Sequence, residues 1–579
     1  MKRLFTLLAL LLIAALALSA CNGDTPNPPD TTDTTATETT PPIPSEIDIV
    51  KDGVANYTIV RPDNADQATV EAASRLRKLI AQYTGVSPIL ATDWIKPGSD
   101  YDHSTFEILI GRTAYSESSN ALDTLTYGDF IIKADGNKLV INAWSADGLS
   151  RAITELADEM IASATDGNFS LPGNFQVTDT AIEGVNTLPI YPNGSLDSIY
   201  TSTKDVRLLI FEETNASAYD TYLNALKANG YTEYAQNNIA ENKFSTYVTD
   251  AYVVNLAYYA HKEETRITIE PRTTLPITEA ENTYQKAVEP KFTMIGLESQ
   301  SDLQNGMSFV WQLADGSYII VDGGFNNVHD TQTLYRYMKN NAPDPENITI
   351  AAWLITHGHG DHHGAYYRFS EVYGKKVNVE LVIGNFPTSD FIEGGVSPNG
   401  VSSIVTNAQK YFAGSKFLTA HTGQKLYLRD AVLEILYTQE DILPQTFSDL
   451  NTASLAFSIT LGGQRFLILG DADELACAIL YHAFGDYLKS DFIQTSHHGY
   501  SNGSSGSYGT LSVYKAAAAP VVLWPVGDYN YKHVVGAYSY SKYLQEAETT
   551  KEIVVAGSRT FTISLPYTYG TSGFDTILK

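Results

Sequence analysis

Thr356-His357-Gly358-His359-Gly360-Asp361-His362-His363-Gly364 concentrates imidazoles and one carboxylate in a single short stretch. The glycines let a tight loop turn several side chains inward, which an unbroken helix or strand could not do. Imidazole nitrogens with a carboxylate are the donors that borderline divalent ions such as Zn²⁺ take well. A second pair lies in Ser496-His497-His498-Gly499, so half of the chain's 12 histidines fall in these two stretches. That concentration points to a divalent-metal site of one or two ions, with Zn²⁺ the first expectation and Mn²⁺ the second. Such an ion lowers the pKa of water toward 7 and polarises an electrophile, which is hydrolytic chemistry.

The first stretch resembles the HxHxDH signature of the metallo-β-lactamase fold, and further motifs follow in that family's order. Tyr318-Ile319-Ile320-Val321-Asp322-Gly323-Gly324 resembles its first motif, a strand ending in an Asp beside the site. Phe466-Leu467-Ile468-Leu469-Gly470-Asp471 resembles the strand that delivers a metal-bridging carboxylate. Asp491 to Gly499 resembles the last motif, which supplies a final histidine. The resemblance covers residues 288–579 and implies an αββα sandwich with metals at one edge of its two sheets. It implies a first metal position with His357, His359 and the bridging Asp471. It implies a second with Asp361, His362, Asp471 and one of His497 or His498. In the family's pattern Asp361 both binds metal and orients the attacking water, a catalytic role.

Within that superfamily the sequence is similar to the exported hydrolase domain of the competence protein ComEC. Gln304-Asn305-Gly306-Met307-Ser308 precedes the first strand, the last motif reads His-His-Gly, and Val526-Gly527-Asp528-Tyr529-Asn530-Tyr531-Lys532-His533 lies near the end. By that likeness His533 would enter the site, to protonate a leaving group or hold a phosphoryl oxygen. The Gly and Pro usual around it are Lys532 and Val534 here. Many family members also carry a third histidine shortly before the Gly-Asp motif. This chain has Asn451 there, as the ComEC-like group does, and the nearest upstream histidine, His421, is remote in sequence. The first metal position is therefore expected to be the weaker. Tyr500, Asn502 and Lys532 stand near the motifs only in sequence.

The elements that must position these residues are legible as apolar runs. Ala351-Ala352-Trp353-Leu354-Ile355 is a strand leading into the histidine loop, and strands likewise precede Asp322, Asp471 and Ser496. Cys477 sits in a helical pattern, Asp473 to Leu480, as a core or flanking residue. Upstream, residues 45–182 alternate strand and helix patterns. Tyr57 to Val60 reads as a strand and Gln67 to Tyr83 as an amphipathic helix; Phe106 to Gly111, Phe130 to Ile132 and Leu139 to Ile141 read as further strands, and Gly148 to Ile161 as a closing helix. This small α/β unit resembles the accessory N-terminal domain of exported glycosidases such as hexosaminidases and glucuronidases, through "YTIVRPDNADQATVEAASRLRKLI" and "EILIGRT". Residues 190–278 read as a small α+β unit: strand Val206 to Phe211, helix Ala218 to Asn229 stopped by Gly230, then two strand-like runs up to Ile269. Tyr252, Tyr258 and Tyr259 there are read as packing. The fold class is thus multidomain, α/β and α+β, with a C-terminal sandwich preceded by two small domains.

The amino terminus reads as an address. Met1-Lys2-Arg3 is basic, Leu4 to Leu18 is apolar and too short for a comfortable span, and Leu18-Ser19-Ala20-Cys21 follows. The last four resemble the lipobox of bacterial lipoproteins, which implies a signal peptide over residues 1–21 and a lipidated Cys21 holding the chain to a membrane. The expected location is the outer face of the cytoplasmic membrane, or the periplasm or outer membrane of a two-membrane cell. Residues 22–44, rich in Thr, Pro and Asp, read as a disordered tether.

With 579 residues, 43% hydrophobic, and roughly 100–200 residues per domain, three or four globular units are expected. A formal charge of −28 argues against a broad nucleic-acid footprint. From residue 291 onward there are 18 basic and 27 acidic residues, so a long polyanion is disfavoured as substrate. The leading expectation is a surface-anchored metal-dependent hydrolase of a phosphodiester or related ester. The rival is a glycan- or cell-wall-binding lipoprotein with a degenerate hydrolase domain.

Overall fold

A computed structural model describes residues 45–179, 184–298, 305–393, 404, 406–407, 410–500, 508–535, 538–555 and 557–578. The signal segment, Cys21, the tether, Gln304 and Asn502 lie outside these. Residues Pro44–Lys579 form one compact unit. Among the described residues, no helix is long and apolar enough to cross a membrane.

The first sheet runs Leu90–Thr92, Thr58–Arg61, Glu107–Ile110, Lys138–Ala143, Phe130–Asp135, Gln176–Asp179. Its first four strands are parallel, as right-handed β-α-β crossovers require. Helix Gln67–Thr84 starts where Asp66 accepts from Thr69 N and stops at left-handed Gly85. Helix Ala146–Ser163 starts on Ser145, which accepts from Gly148 N. Both bury Leu76, Ile80, Ile153 and Leu156 against one face of the sheet. Three short strands, Glu46–Lys51, Val54–Ala55 and Phe169–Pro172, form a small separate sheet that the sequence did not announce.

The middle sheet has six antiparallel strands, ordered Ser195–Thr203, Val206–Glu212, Glu264–Pro271, Tyr252–Tyr259, Asn242–Val248, Thr232–Ile239. Four strands follow helix Ala216–Ala228, where two runs were expected. Tyr258 and Tyr259 are buried among apolar side chains, and Tyr252 packs against the same core as Tyr258. They are packing residues. The opposite side of this sheet meets the C-terminal region. Leu208 and Ile210 pack with Phe391, Ile392, Ile442, Leu443, Leu450 and Ala453. Ser202 donates to Glu440 (2.8 Å), and Asn242 Nδ2 donates to the Ala483 carbonyl (2.6 Å).

The C-terminal region is two eight-stranded sheets face to face. One contains Lys416–Thr419, Leu381–Gly384, Ile348–Leu354, Tyr318–Asp322, Ser308–Gln312, Lys291–Met294 and Phe561–Ser564, with Val377–Val379 paired beside Ile348–Leu354. The other runs Lys425–Leu428, Ala431–Tyr437, Ala456–Leu461, Gln464–Ile468, Phe492–Gln494, Val521–Trp524, Glu552–Val555, Ile577–Leu578. Alternate residues of both sheets interdigitate in a dry core, where Phe292, Trp311, Phe466 and Phe492 contact edge and face. Each such ring contributes about 1.5–3 kcal/mol by burial. Helices Val328–Asn341 and Gly360–Tyr373 cover the outer face of the first sheet. Helices Glu474–Phe484, Tyr508–Ala517 and Ser539–Glu546 cover that of the second. This is the αββα layering expected. Cys477 is buried under the second layer as a core residue, and burial pushes its thiol pKa up.

Candidate metal centre

Strands Tyr318–Asp322 and Ile348–Leu354 are parallel, and so are Gln464–Ile468, Phe492–Gln494 and Val521–Trp524. Their C-terminal ends therefore emerge on one edge of the sandwich. Asp322, the histidine loop, Gly470-Asp471, His497-His498 and Pro525 all follow those ends. Each segment is local, but only the sheet order brings them together.

Four ligand atoms, one each from Asp361, His362, Asp471 and His498, lie within 4.8 Å of one another. His362 Nε2 is 3.1 Å from Asp471 Oδ2 and 3.2 Å from His498 Nε2, and His498 Nε2 is 3.4 Å from Asp361 Oδ2. Both imidazoles are turned by a partner on the far nitrogen. His362 Nδ1 is 2.7 Å from Asp322 Oδ2, and His498 Nδ1 is 2.7 Å from the Pro525 carbonyl oxygen. An Nδ1–H donated to these acceptors leaves both Nε2 lone pairs facing the cluster. Asp322 also accepts from Thr356 N and Oγ1, each at 2.8 Å, which ties the first strand to the histidine loop. Asp322 is fully buried at a left-handed φ of 56°, a region Asp and Asn enter more readily than other side chains.

His497 and His498 are both left-handed, at φ 47° and 55°. Each such residue costs about 1–2 kcal/mol. Surrounding contacts hold the turn: His497 N donates to the Gly470 carbonyl, and Trp524 Nε1 donates to the His498 carbonyl. A Cβ on the next residue, Gly499, would lie 2.5 Å from Trp524 Nε1, so glycine is required there. This turn sends the two histidines to different places. His498 joins the four-residue cluster, while His497 Nε2 lies 3.4 Å from Asn451 Nδ2.

His357 and His359 stand beside the cluster, with His357 Nε2 3.1 Å from His359 Nδ1 and 3.9 Å from Asp471 Oδ2. His363 turns away, its Nε2 3.0 Å from the Gly358 carbonyl. His421 is no substitute for a third histidine: it is buried between Glu440 (2.7 Å) and Glu270 (3.2 Å) under the middle sheet. His533, expected at the site, is exposed with its ring against Tyr529, centroids 4.6 Å apart. The short helix Asp528–His533 turns Asn530 toward Asn305 instead, at 3.4 Å, and leaves His533 on the outer side. Lys532 is exposed, and the Tyr500 ring centroid is 5.9 Å from that of His497.

The electrostatics are those of a site built around charge. For His362, burial disfavours the cation, but Asp471, Asp322 and Asp361 outweigh it and hold its pKa well above the usual range. For Asp471, burial opposes ionisation, and His362 and His498 overcome it, holding the carboxyl well below its ordinary range. Asp361 is depressed against burial by His362 and His498. His498 is raised against burial by Asp471 and Asp361. Burial, then the charge on His362, drives His357 well below the usual value.

These residues fit a divalent cation. Two carboxylates and two imidazole Nε2 atoms are a suitable donor set. Asp471 Oδ1 is buried with no hydrogen-bond partner, which costs about 1–3 kcal/mol or more for a charged group unless something fills its lone pairs. The residues that sequence alone did not assign are orienting ones: Thr356 and the Pro525 carbonyl. Thr356 adjoins the motif, but a backbone carbonyl carries no residue-type signal.

Residues 303–518 match the sequence profile of the metallo-beta-lactamase superfamily, and this region is a metallo-β-lactamase-fold domain. Among solved structures, similar chains include the metallo-beta-lactamase fold protein YhfI from Bacillus subtilis, at 17% identity and TM-score 0.27, over 41% of this chain and 85% of that one. CmlA, a diiron beta-hydroxylase from Streptomyces venezuelae, is similar at 13% identity and TM-score 0.30, over 48% and 55%. Yeast PDE1 is similar at 14% identity and TM-score 0.31, over 48% and 100%. At these scores the likenesses add nothing to the profile match. A search of curated proteins finds no match.

Proposed function

We propose that the chain is a surface-anchored, metal-dependent hydrolase of a phosphodiester or related ester. The observation that carries it is the convergence of Asp361, His362, Asp471 and His498, with Asp471 Oδ1 unpartnered. Held by these four, a cation would supply Lewis acidity and would lower the pKa of water toward neutral, making hydroxide available as nucleophile. The chain's own residues do the rest. Asp322 and Pro525 hold the Nδ1 protons of His362 and His498, fixing both tautomers. Asp361, less buried than Asp471 and in the first turn of helix Gly360–Tyr373, is the residue assigned here to orient that water, as the family resemblance implies.

The ester preference rests on the ComEC-like motifs around Met307 and His498, and the acidic surface favours a small substrate over a long nucleic acid. The N-terminal sequence supports an anchor at Cys21; Cys21→Ser should release the protein from the membrane fraction. The hydrolase is tested by the metal content of the full chain beside Asp471→Ala, and by chelator-sensitive turnover of a phosphodiester panel. One or two ions per chain, lost with activity in the variant and restored by Zn²⁺ or Mn²⁺, are expected. A wild-type chain that holds no ion after reloading would leave a tethered glycan-binding protein instead.

A further inference from the structure

Asp471 and His498 reach the cluster from two neighbouring strands, Gln464–Ile468 and Phe492–Gln494, whose parallel pairing runs as far as Leu467 with Ile493. Past that pair the two chains have left the ladder, yet His498 Nε2 and Asp471 Oδ2 lie 3.6 Å apart. A side chain carries the pairing onward. Gln494 is fully buried at the end of its strand, and its Oε1 accepts from Leu469 N at 2.8 Å. Its Nε2 donates to the Gly470 carbonyl at 2.8 Å and also to the Thr495 carbonyl. A carboxamide offers an acceptor and two donors side by side, as peptide groups do, so Gln494 adds one more rung to the ladder. The neighbours fix its orientation, because turning the amide over would set its oxygen against two carbonyl oxygens. The Gly470 carbonyl, directly before Asp471, also accepts from His497 N at 3.2 Å, directly before His498. On the other flank of Asp471, Ser496 Oγ donates to the Ala472 carbonyl. Asp471 is thus gripped through its main chain on both sides by the segment that carries His498.

We propose that Gln494 is a positioning residue of this centre: its carboxamide fixes the separation of Asp471 from His498, and with it the affinity for a cation and the arrangement of its ligands. This rests on the metal-dependent reading above. Gln494 acts on the ligands through the main chain of Leu469, Gly470 and Thr495. Its two strand neighbours, Phe492 and Ile493, are apolar, and a buried polar side chain among them has to have its atoms matched. A second buried glutamine supplies the contrast. Gln312 Nε2 donates to Tyr318 Oη (3.2 Å) and to the Asn341 carbonyl (2.7 Å). Gln312 pairs with Tyr318 at the start of strand Tyr318–Asp322, the end of that strand away from Asp322.

The test uses the full chain, stripped with chelator and titrated with Zn²⁺ against a chromophoric competitor, and with Co²⁺, whose visible absorption reports ligand geometry. Gln494→Leu should weaken the tightest Zn²⁺ at least about tenfold, the range for loss of an orienting partner, and should change the Co²⁺ band. Gln494→Met, unbranched and of similar length, should do the same with less disturbance of packing. Gln312→Leu also removes two hydrogen bonds from the sandwich, but far from the ligands, so it should leave Zn²⁺ affinity within about twofold and the Co²⁺ band unchanged. In the wild-type chain, loading with Zn²⁺ should slow hydrogen exchange at Leu469 N at least about tenfold, because holding Asp471 and His498 together closes the Gln494 bridge. Folded Gln494 variants with wild-type affinity and band, a loss matched by Gln312→Leu, or exchange at Leu469 N that ignores Zn²⁺ would overturn the assignment and leave the hydrolase standing. A wild-type chain that takes up no ion would overturn both.

Discussion

Asp322→Asn isolates how much cation binding at the candidate site depends on a residue outside the four-residue cluster. Asn has the same shape and also tolerates the left-handed φ of 56°, so the change adds no backbone strain. What it removes is acceptor capacity. Asp322 now accepts from Thr356 N and Oγ1 at 2.8 Å and faces His362 Nδ1 at 2.7 Å. An amide offers one oxygen, which can serve Thr356 N or the His362 Nδ1–H, and its NH₂ can turn only to the Thr356 hydroxyl. One hydrogen bond to a charged acceptor is lost, about 1.5–3 kcal/mol. Felt through the orientation of His362, that corresponds to a 10–100-fold loss of metal affinity, about 1.4–2.7 kcal/mol. The assay is competition for Zn²⁺ against a chromophoric chelator, with circular dichroism confirming the fold. A dissociation constant within about threefold of wild type, in a variant that is folded, would refute the claim that Asp322 sets the His362 tautomer.

Other consequences are open to measurement. Metal at 100 times its dissociation constant should raise stability by about 2.7 kcal/mol, seen as a chelator-reversible rise in Tm that Asp471→Ala abolishes. Gly499→Ala should cost about 2–4 kcal/mol, from overpacking against Trp524 and a left-handed alanine, and should weaken metal binding through His498. An unchanged Tm would contradict the close approach. His421 is buried, which opposes its charge, yet Glu440 and Glu270 raise its pKa to about 10. Its folded pKa lies above its unfolded one, so its stabilisation is full below pH about 6.5 and is lost as pH rises toward about 10. Thermal scans across that window should show a decline, on the order of a few kcal/mol, that His421→Gln flattens.

Most of the metal centre was legible because its ligands sit at the ends of apolar strands, and a histidine loop announces itself in one short stretch. The choice between His497 and His498 was not, since it turns on a carbonyl of Pro525, contributed by another strand. His533 is exposed against Tyr529 while the buried residue of its helix is Asn530, a distinction finer than any motif. In the middle sheet four strands stand where two runs were read; the edge strand Thr232–Ile239 has polar side chains mostly facing water, so no alternation marks it. The N-terminal helices were legible from their apolar periodicity, Gln67 to Tyr83 and Gly148 to Ile161 being read where the structure has Gln67–Thr84 and Ala146–Ser163; the caps Asp66 and Ser145 were not read.

The packing of Leu208 and Ile210 on the turn that carries Asn451 has a consequence for how this polypeptide comes apart. A fragment beginning near residue 288 would bare Phe391, Ile392, Ile442 and Leu443 to water and leave Glu440 and His421 without Ser202 and Glu270. Such a fragment should aggregate or bind cations more weakly than the full chain. Heat or denaturant should melt the middle sheet and the C-terminal sandwich in a single cooperative step. The middle sheet and the sandwich share one packed seam, so the segment joining them is no place to cut.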